Sequence, residues 1–133
     1  MITGIAHICF IAKDLEASAA FYRDKLGMKE TFPFVKPDGH KFGTFLHAGG
    51  RGFIEIFEGN PGERVDNQNY RHLCLEVDDI QETVKTLRAR GVKVSDITLG
   101  SDGSWQAWLA DLDGNPIELH HYTPNSKQLP AFK

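Results

Sequence analysis

Tyr70-Arg71-His72-Leu73-Cys74-Leu75-Glu76-Val77-Asp78-Asp79 repeats, sixty-five positions later, Ile5-Ala6-His7-Ile8-Cys9-Phe10-Ile11-Ala12-Lys13-Asp14. His7 aligns with His72, Cys9 with Cys74, Asp14 with Asp79 and Arg23 with Arg88, all without a gap. The ends of the two halves echo as well. Phe53-Ile54-Glu55-Ile56-Phe57 and Pro116-Ile117-Glu118-Leu119-His120 each carry a lone carboxylate between aliphatic neighbours, forty-eight positions after the first histidine and forty-six after the second. A chain duplicated in this way is constrained to fold as two copies of one module, each with one His and one Glu.

Period-2 alternation predicts a strand over 4–11, with Ile5, His7, Cys9 and Ile11 on one face. Asp14 then caps a helix whose apolar stripe runs through Leu15, Ala19, Phe21, Tyr22 and Leu26, and Gly27 stops it. A strand follows over 28–34, then a turn at Lys36-Pro37-Asp38-Gly39, then a hairpin of 41–48 and 52–58 turning at Gly49-Gly50-Arg51. The aperiodic, Gly-, Pro- and Asn-rich stretch 59–69 reads as a linker. The order then recurs: a strand over 70–77, a helix capped by Asp79 with Glu82 three residues on and ended by Gly91, a short strand over 92–97, and a hairpin of 105–110 and 116–122. These elements define an α+β fold of two tandem β-α-β-β-β modules, 1–58 and 70–122, in one domain spanning 1–133, with 123–133 as a tail.

Composition excludes several classes of function. Hydrophobic residues make up 41% and charged residues 25%, the range of a soluble globular domain. The net charge of −3 gives no basic field for nucleic acid. No apolar run is long enough to span a membrane, and no secretory leader is evident, so the expected location is cytoplasmic. Cys9 and Cys74 fall within apolar strands, where free thiols are expected rather than a disulfide.

A single strand histidine is more often a packed residue than a ligand. Two histidines and two strand-borne glutamates at matching places in a repeat are what a pseudo-twofold metal site requires. His7, Glu55, His72 and Glu118 are therefore the expected ligands. Two nitrogens and two oxygens without a thiolate suit one borderline divalent ion: Ni, Zn, Co, Mn or Fe. Cys9 and Cys74 are expected to form pocket wall. His120 shares a strand face with Glu118, as a relay or as a surface group. Trp105 stands on the face opposite Gln106 and Trp108, and packing is the expected role of these tryptophans. Lys13, Arg51, Arg64 and Arg71 read as solvated charges with the capacity to supply an anion site.

The His7, Glu55, His72 and Glu118 pattern on paired modules, with Asp113-Gly114-Asn115-Pro116-Ile117-Glu118-Leu119 closing the second, resembles the vicinal oxygen chelate superfamily across nearly the whole chain. That resemblance implies a cupped mixed sheet around a central divalent metal. The full His-Glu-His-Glu set is most similar to glyoxalase I, the lactoylglutathione lyase. Methylmalonyl-CoA epimerase usually has Gln at the place of Glu55. The implied reaction is proton transfer through a metal-bound enediolate on a small α-hydroxy-carbonyl or hemithioacetal substrate such as the methylglyoxal adduct. The resemblance implies a glutamate ligand as the base; Glu118 is the expected principal base, because its strand carries His120 on the same face as a relay, and Glu55 the assisting one. Two positions depart from the glyoxalase I pattern: Ile11 stands where an Arg holds a glutathione carboxylate, and Gly59 where an Asn is frequent. The alternatives are another metal-dependent enzyme of the superfamily, an epimerase or dioxygenase, or a non-catalytic drug- or metabolite-binding protein. A small-molecule substrate and a homodimer are expected.

Overall fold

The computed structural model describes residues 1–132 and divides into two compact units, Met1–Glu63 and Arg64–Lys133. The first unit contains β1 (His7–Ala12), α1 (Leu15–Ala20), β2 (Lys29–Val35), β3 (Lys41–Gly49) and β4 (Gly52–Glu58). The second contains β5 (Leu73–Glu76), α2 (Ile80–Ala89), β6 (Thr98–Leu99), β7 (Trp105–Ala110) and β8 (Pro116–His121). Each unit thus realises the β-α-β-β-β order. Its strands form a four-stranded mixed sheet, β1-β4-β3-β2 in the first and β5-β8-β7-β6 in the second. In both, the first and last strands of the module pair in parallel and the remaining neighbours are antiparallel.

One face of each sheet is covered by its helix, because alternation along the strands sends the aliphatic residues there. Ile54, Ile56 and Leu46 of the first sheet are buried together with Ala19 and Tyr22. Ile117, Leu119, Ala107 and Leu109 of the second are buried together with Ile80, Val84 and Leu87 of α2. Each of the buried Ile, Leu and Val side chains contributes about 1.5–3 kcal/mol of hydrophobic stabilisation. The opposite faces carry the polar and aromatic residues. The helices begin where the sequence predicts: Asp14 accepts from the Ala17 N–H and Asp79 from the Glu82 N–H, each at 3.0 Å. The second cap is one-sided, since Glu82 pairs with Lys85.

Three local features differ from the expected pattern. The first helix widens after Ala20 into a π-helical turn over Phe21–Lys25, with the Leu26 N–H donating to the Phe21 carbonyl. This turn accompanies the burial of two consecutive aromatics, Phe21 and Tyr22, which stand 5.5 Å apart edge to face. Second, 92–97 is no strand, and the short edge strand is displaced to Thr98–Leu99. The cause is Ser95, whose N–H still donates to the Trp108 carbonyl at 2.9 Å but whose hydroxyl, rather than a backbone carbonyl, takes the Trp108 N–H, while Arg88 donates to the Val94 and Ser95 carbonyls. Third, the segment after β8 is tied to its own unit. Ser126 is buried with its hydroxyl 2.7 Å from that of Ser104, and the Gln128 amide donates to Asp102 at 2.6 Å. No helix of the described residues is long and apolar enough to cross a membrane.

Candidate metal centre

In the first unit, the parallel pairing of β1 with β4 sets Cys9 opposite Glu55 and His7 opposite Phe53. His7, Cys9 and Ile11 point away from the helix-covered face, whereas Phe10 and Ala12 are buried. This brings His7 Nε2 to 3.9 Å from Glu55 Oε1. Phe45, the β3 partner of Glu55, packs edge-on against the His7 ring at 5.3 Å.

The second unit repeats the arrangement. Cys74 is paired with Glu118, and His72 Nε2 lies 3.0 Å from Glu118 Oε2. Trp108, the β7 partner of Glu118, packs edge-on against the His72 ring at 4.8 Å. Phe45 and Trp108 are thus equivalent members of the repeat, each a ring between hairpin and histidine. Sequence reading did not single out Phe45, and it expected packing for Trp108. The signal available was the cross-strand position of both residues opposite a glutamate.

The two carboxylates differ in their other neighbours. His120 Nδ1 lies 3.3 Å from Glu118 Oε1, and with its proton on Nδ1 it donates there. The ring is buried, its Nε2 has no hydrogen-bond partner, and Asp102 Oδ2 stands 3.8 Å beyond. The Gln128 amide and the Ser104 N–H hold Asp102 below the usual carboxylate range. Two residues after Glu55 the chain has Phe57, so the first glutamate has no such histidine. Asp102 lies in the loop before β7, and no periodicity marks it in the sequence.

Both cysteines are free. Burial pushes the Cys74 thiol up to about 12, with the charges of Glu118 and Asp102 adding to the effect. Burial and a hydrogen bond with Glu55 likewise raise Cys9. Cys74, Glu118 and His120 offer donor atoms within 4.8 Å of one another, a possible ligand triad in which the thiol is the group hardest to ionise.

The residues fit a divalent cation. The Glu55 and Glu118 side chains are only 17% and 12% exposed, yet among the described residues neither is ion-paired with a Lys or Arg. Carboxylates so withdrawn from water call for a compensating positive charge. Imidazole nitrogen and carboxylate oxygen are the donors a borderline divalent ion accepts.

The family profile of the glyoxalase/bleomycin resistance protein/dioxygenase superfamily matches residues 4–119. The chain belongs to that superfamily. Within the superfamily, it is 28% identical over 130 residues to the fosfomycin resistance protein FosX of Listeria monocytogenes, with 90% of each chain covered. It is 29% identical over 136 residues to an ethylmalonyl-CoA/methylmalonyl-CoA epimerase of Cereibacter sphaeroides, covering 90% of this chain and 98% of the epimerase. Its fold matches the crystal structure of a lactoylglutathione lyase from Agrobacterium tumefaciens with a TM-score of 0.69 and 25% identity, covering 90% of this chain and 94% of the lyase. These superfamily relatives carry different activities on a common pair of modules, so the chemistry of the site, rather than the fold, must discriminate among them.

Proposed function

We propose that the protein is a divalent-metal-dependent lyase or isomerase of glyoxalase I type, with His7, Glu55, His72 and Glu118 as the ligands of one metal ion. The observation that carries this reading is the duplicated pairing, His7 with Glu55 at 3.9 Å and His72 with Glu118 at 3.0 Å, at equivalent positions of the repeat, with His7 opening β1 and His72 immediately preceding β5. When bound, a cation such as Ni, Zn, Co, Mn or Fe supplies positive charge that stabilises an oxyanion developing on the substrate. Glu118 is the principal base, taking a proton from the carbon beside a carbonyl group. His120 orients that carboxylate through its Oε1, and Asp102 lies on the far side of the imidazole. Glu55 assists from the equivalent place. Phe45 and Trp108 pack edge-on against the histidine rings and fix their orientation.

The likeness to the epimerase of Cereibacter sphaeroides favours a second reading, with the same carboxylates moving a proton at a stereocentre. Metal content measured alongside turnover of hemithioacetals, acyl-CoA thioesters and catechols decides between them. Turnover of hemithioacetals alone supports the lyase or isomerase reading, and turnover of acyl-CoA thioesters alone overturns it. The protein is further proposed to act in the cytoplasm as a homodimer, which sedimentation equilibrium tests through the mass of the assembly.

A further inference from the structure

Next to His72 the second unit holds a small cavity of about 260 Å³, into which Arg64, Gln68, Arg71 and Trp108 also project. The preceding loop is folded back on itself to build it. Arg64 Nη2 donates to the Arg71 carbonyl at 2.9 Å, Arg71 Nη1 to Asn67 Oδ1 at 3.3 Å, and the Gln68 amide to the Tyr70 carbonyl at 2.9 Å. Asn67 turns the chain in the left-handed region, at φ 57°.

Both guanidiniums use neutral acceptors, and among the described residues neither is ion-paired with a carboxylate. Asp66 is the one acidic residue on the lining, against two arginines. A cavity below the ~300–1,000 Å³ typical of whole-ligand pockets suits a head group rather than an entire substrate. The guanidinium fork matches the paired oxygens of a carboxylate or phosphate.

We propose that Arg64 and Arg71 form an oxyanion subsite beside His72, which receives a carboxylate or phosphate-type group of the substrate. The inference rests on the metal reading only in its last step, where a substrate anchored here reaches the centre that His72 helps form. It also supplies a positive site in a chain that has Ile11 where glyoxalase I places an arginine.

The test uses metal-free full-length protein titrated separately with inorganic phosphate and with acetate, followed by the NMR signal of the Trp108 indole N–H. Saturable binding of at least one of the two is expected, and which one binds tells a tetrahedral from a planar anion. In Arg64→Ala/Arg71→Ala, binding weakens about tenfold or more, the loss of charge-assisted hydrogen bonds. Arg64→Gln, a milder change, weakens it in the same direction if the double variant does not fold. Divalent-metal titration of the same samples separates the two readings. Arginine-dependent anion binding without metal binding supports this subsite while contradicting the proposed metal centre. Metal binding with no saturable anion shift, or equal anion affinity in the variants, overturns the subsite alone.

Discussion

Ile11 Cγ2 lies 2.8 Å from the point that a Cβ on Gly59 would occupy. The two residues sit at the ends of the paired strands β1 and β4, where the Gly59 N–H donates to the Ala12 carbonyl at 3.0 Å. The two departures from the glyoxalase I pattern are therefore a single packing solution. A branched side chain at one position occupies the space that a side chain at the other needs.

Because Ile11 cannot pair with a carboxylate, glutathione is predicted either to be no better than other small thiols as the carrier of a methylglyoxal adduct, or to be held by different residues, of which Arg64 and Arg71 are the candidates. Steady-state turnover compares them directly. Clear selectivity for glutathione that persists in Arg64→Ala/Arg71→Ala would falsify the importance of the missing arginine.

The same contact makes a stability prediction. Gly59→Asn alone should destabilise by about 1–3 kcal/mol through overpacking, and less in an Ile11→Ala background. Urea unfolding of the double-mutant cycle measures the coupling. Strict additivity would remove the packing argument.

Gly43 is a second position closed to a side chain. A Cβ there would meet the Phe57 ring at 2.5 Å and the Ile56 carbonyl at 2.9 Å. Gly43→Ala is predicted to cost about 1–3 kcal/mol, read as a lower urea midpoint. An unchanged midpoint would show that the Phe57 ring moves aside freely.

Glu30 accepts from Lys41 at 2.8 Å, Thr44 at 2.7 Å and Arg23 at 3.1 Å. The Lys41 and Thr44 hydrogen bonds lead in holding its carboxyl below the ordinary value of 4.5. A folded-state pKa lower than the unfolded one means that the stabilisation is complete above the unfolded value. It is lost as pH falls through the folded value. Glu30→Gln should lower stability at neutral pH and flatten its decline in the acid range, as measured by thermal unfolding between pH 7 and 3. An unaltered acid slope would contradict the assignment.

The asymmetry between Glu118, with His120 beside it, and Glu55, with Phe57 two residues on, predicts unequal catalytic roles. With metal saturating, Glu118→Gln should lower kcat by about 100-fold or more, and Glu55→Gln by less. The reverse order makes Glu55 the principal base. Full activity in both means that neither glutamate moves the proton.

Much of this was legible before any coordinates. The repeat set His7 and His72 at equivalent positions, His72 one residue before β5, and Glu55 and Glu118 on equivalent strands, and turn chemistry located the hairpins: Gly49 and Gly50 do adopt positive φ, and Asp111 does gather the Asp113 and Asn115 N–H groups. Features that depend on side chains meeting across long separations were not legible. Ser95 replaces a strand bond with its hydroxyl, and Asp102 reaches His120 from a loop. Periodicity reports which face a residue takes. It does not report which distant residue it finds there.

Calorimetric titration of nickel or zinc into metal-free protein, with parallel elemental analysis, tests the central claim most directly. Wild-type protein is predicted to bind one divalent ion per chain, and Glu55→Gln and His72→Ala, one from each unit, should each weaken that binding strongly. Unchanged affinity in both variants would contradict the account.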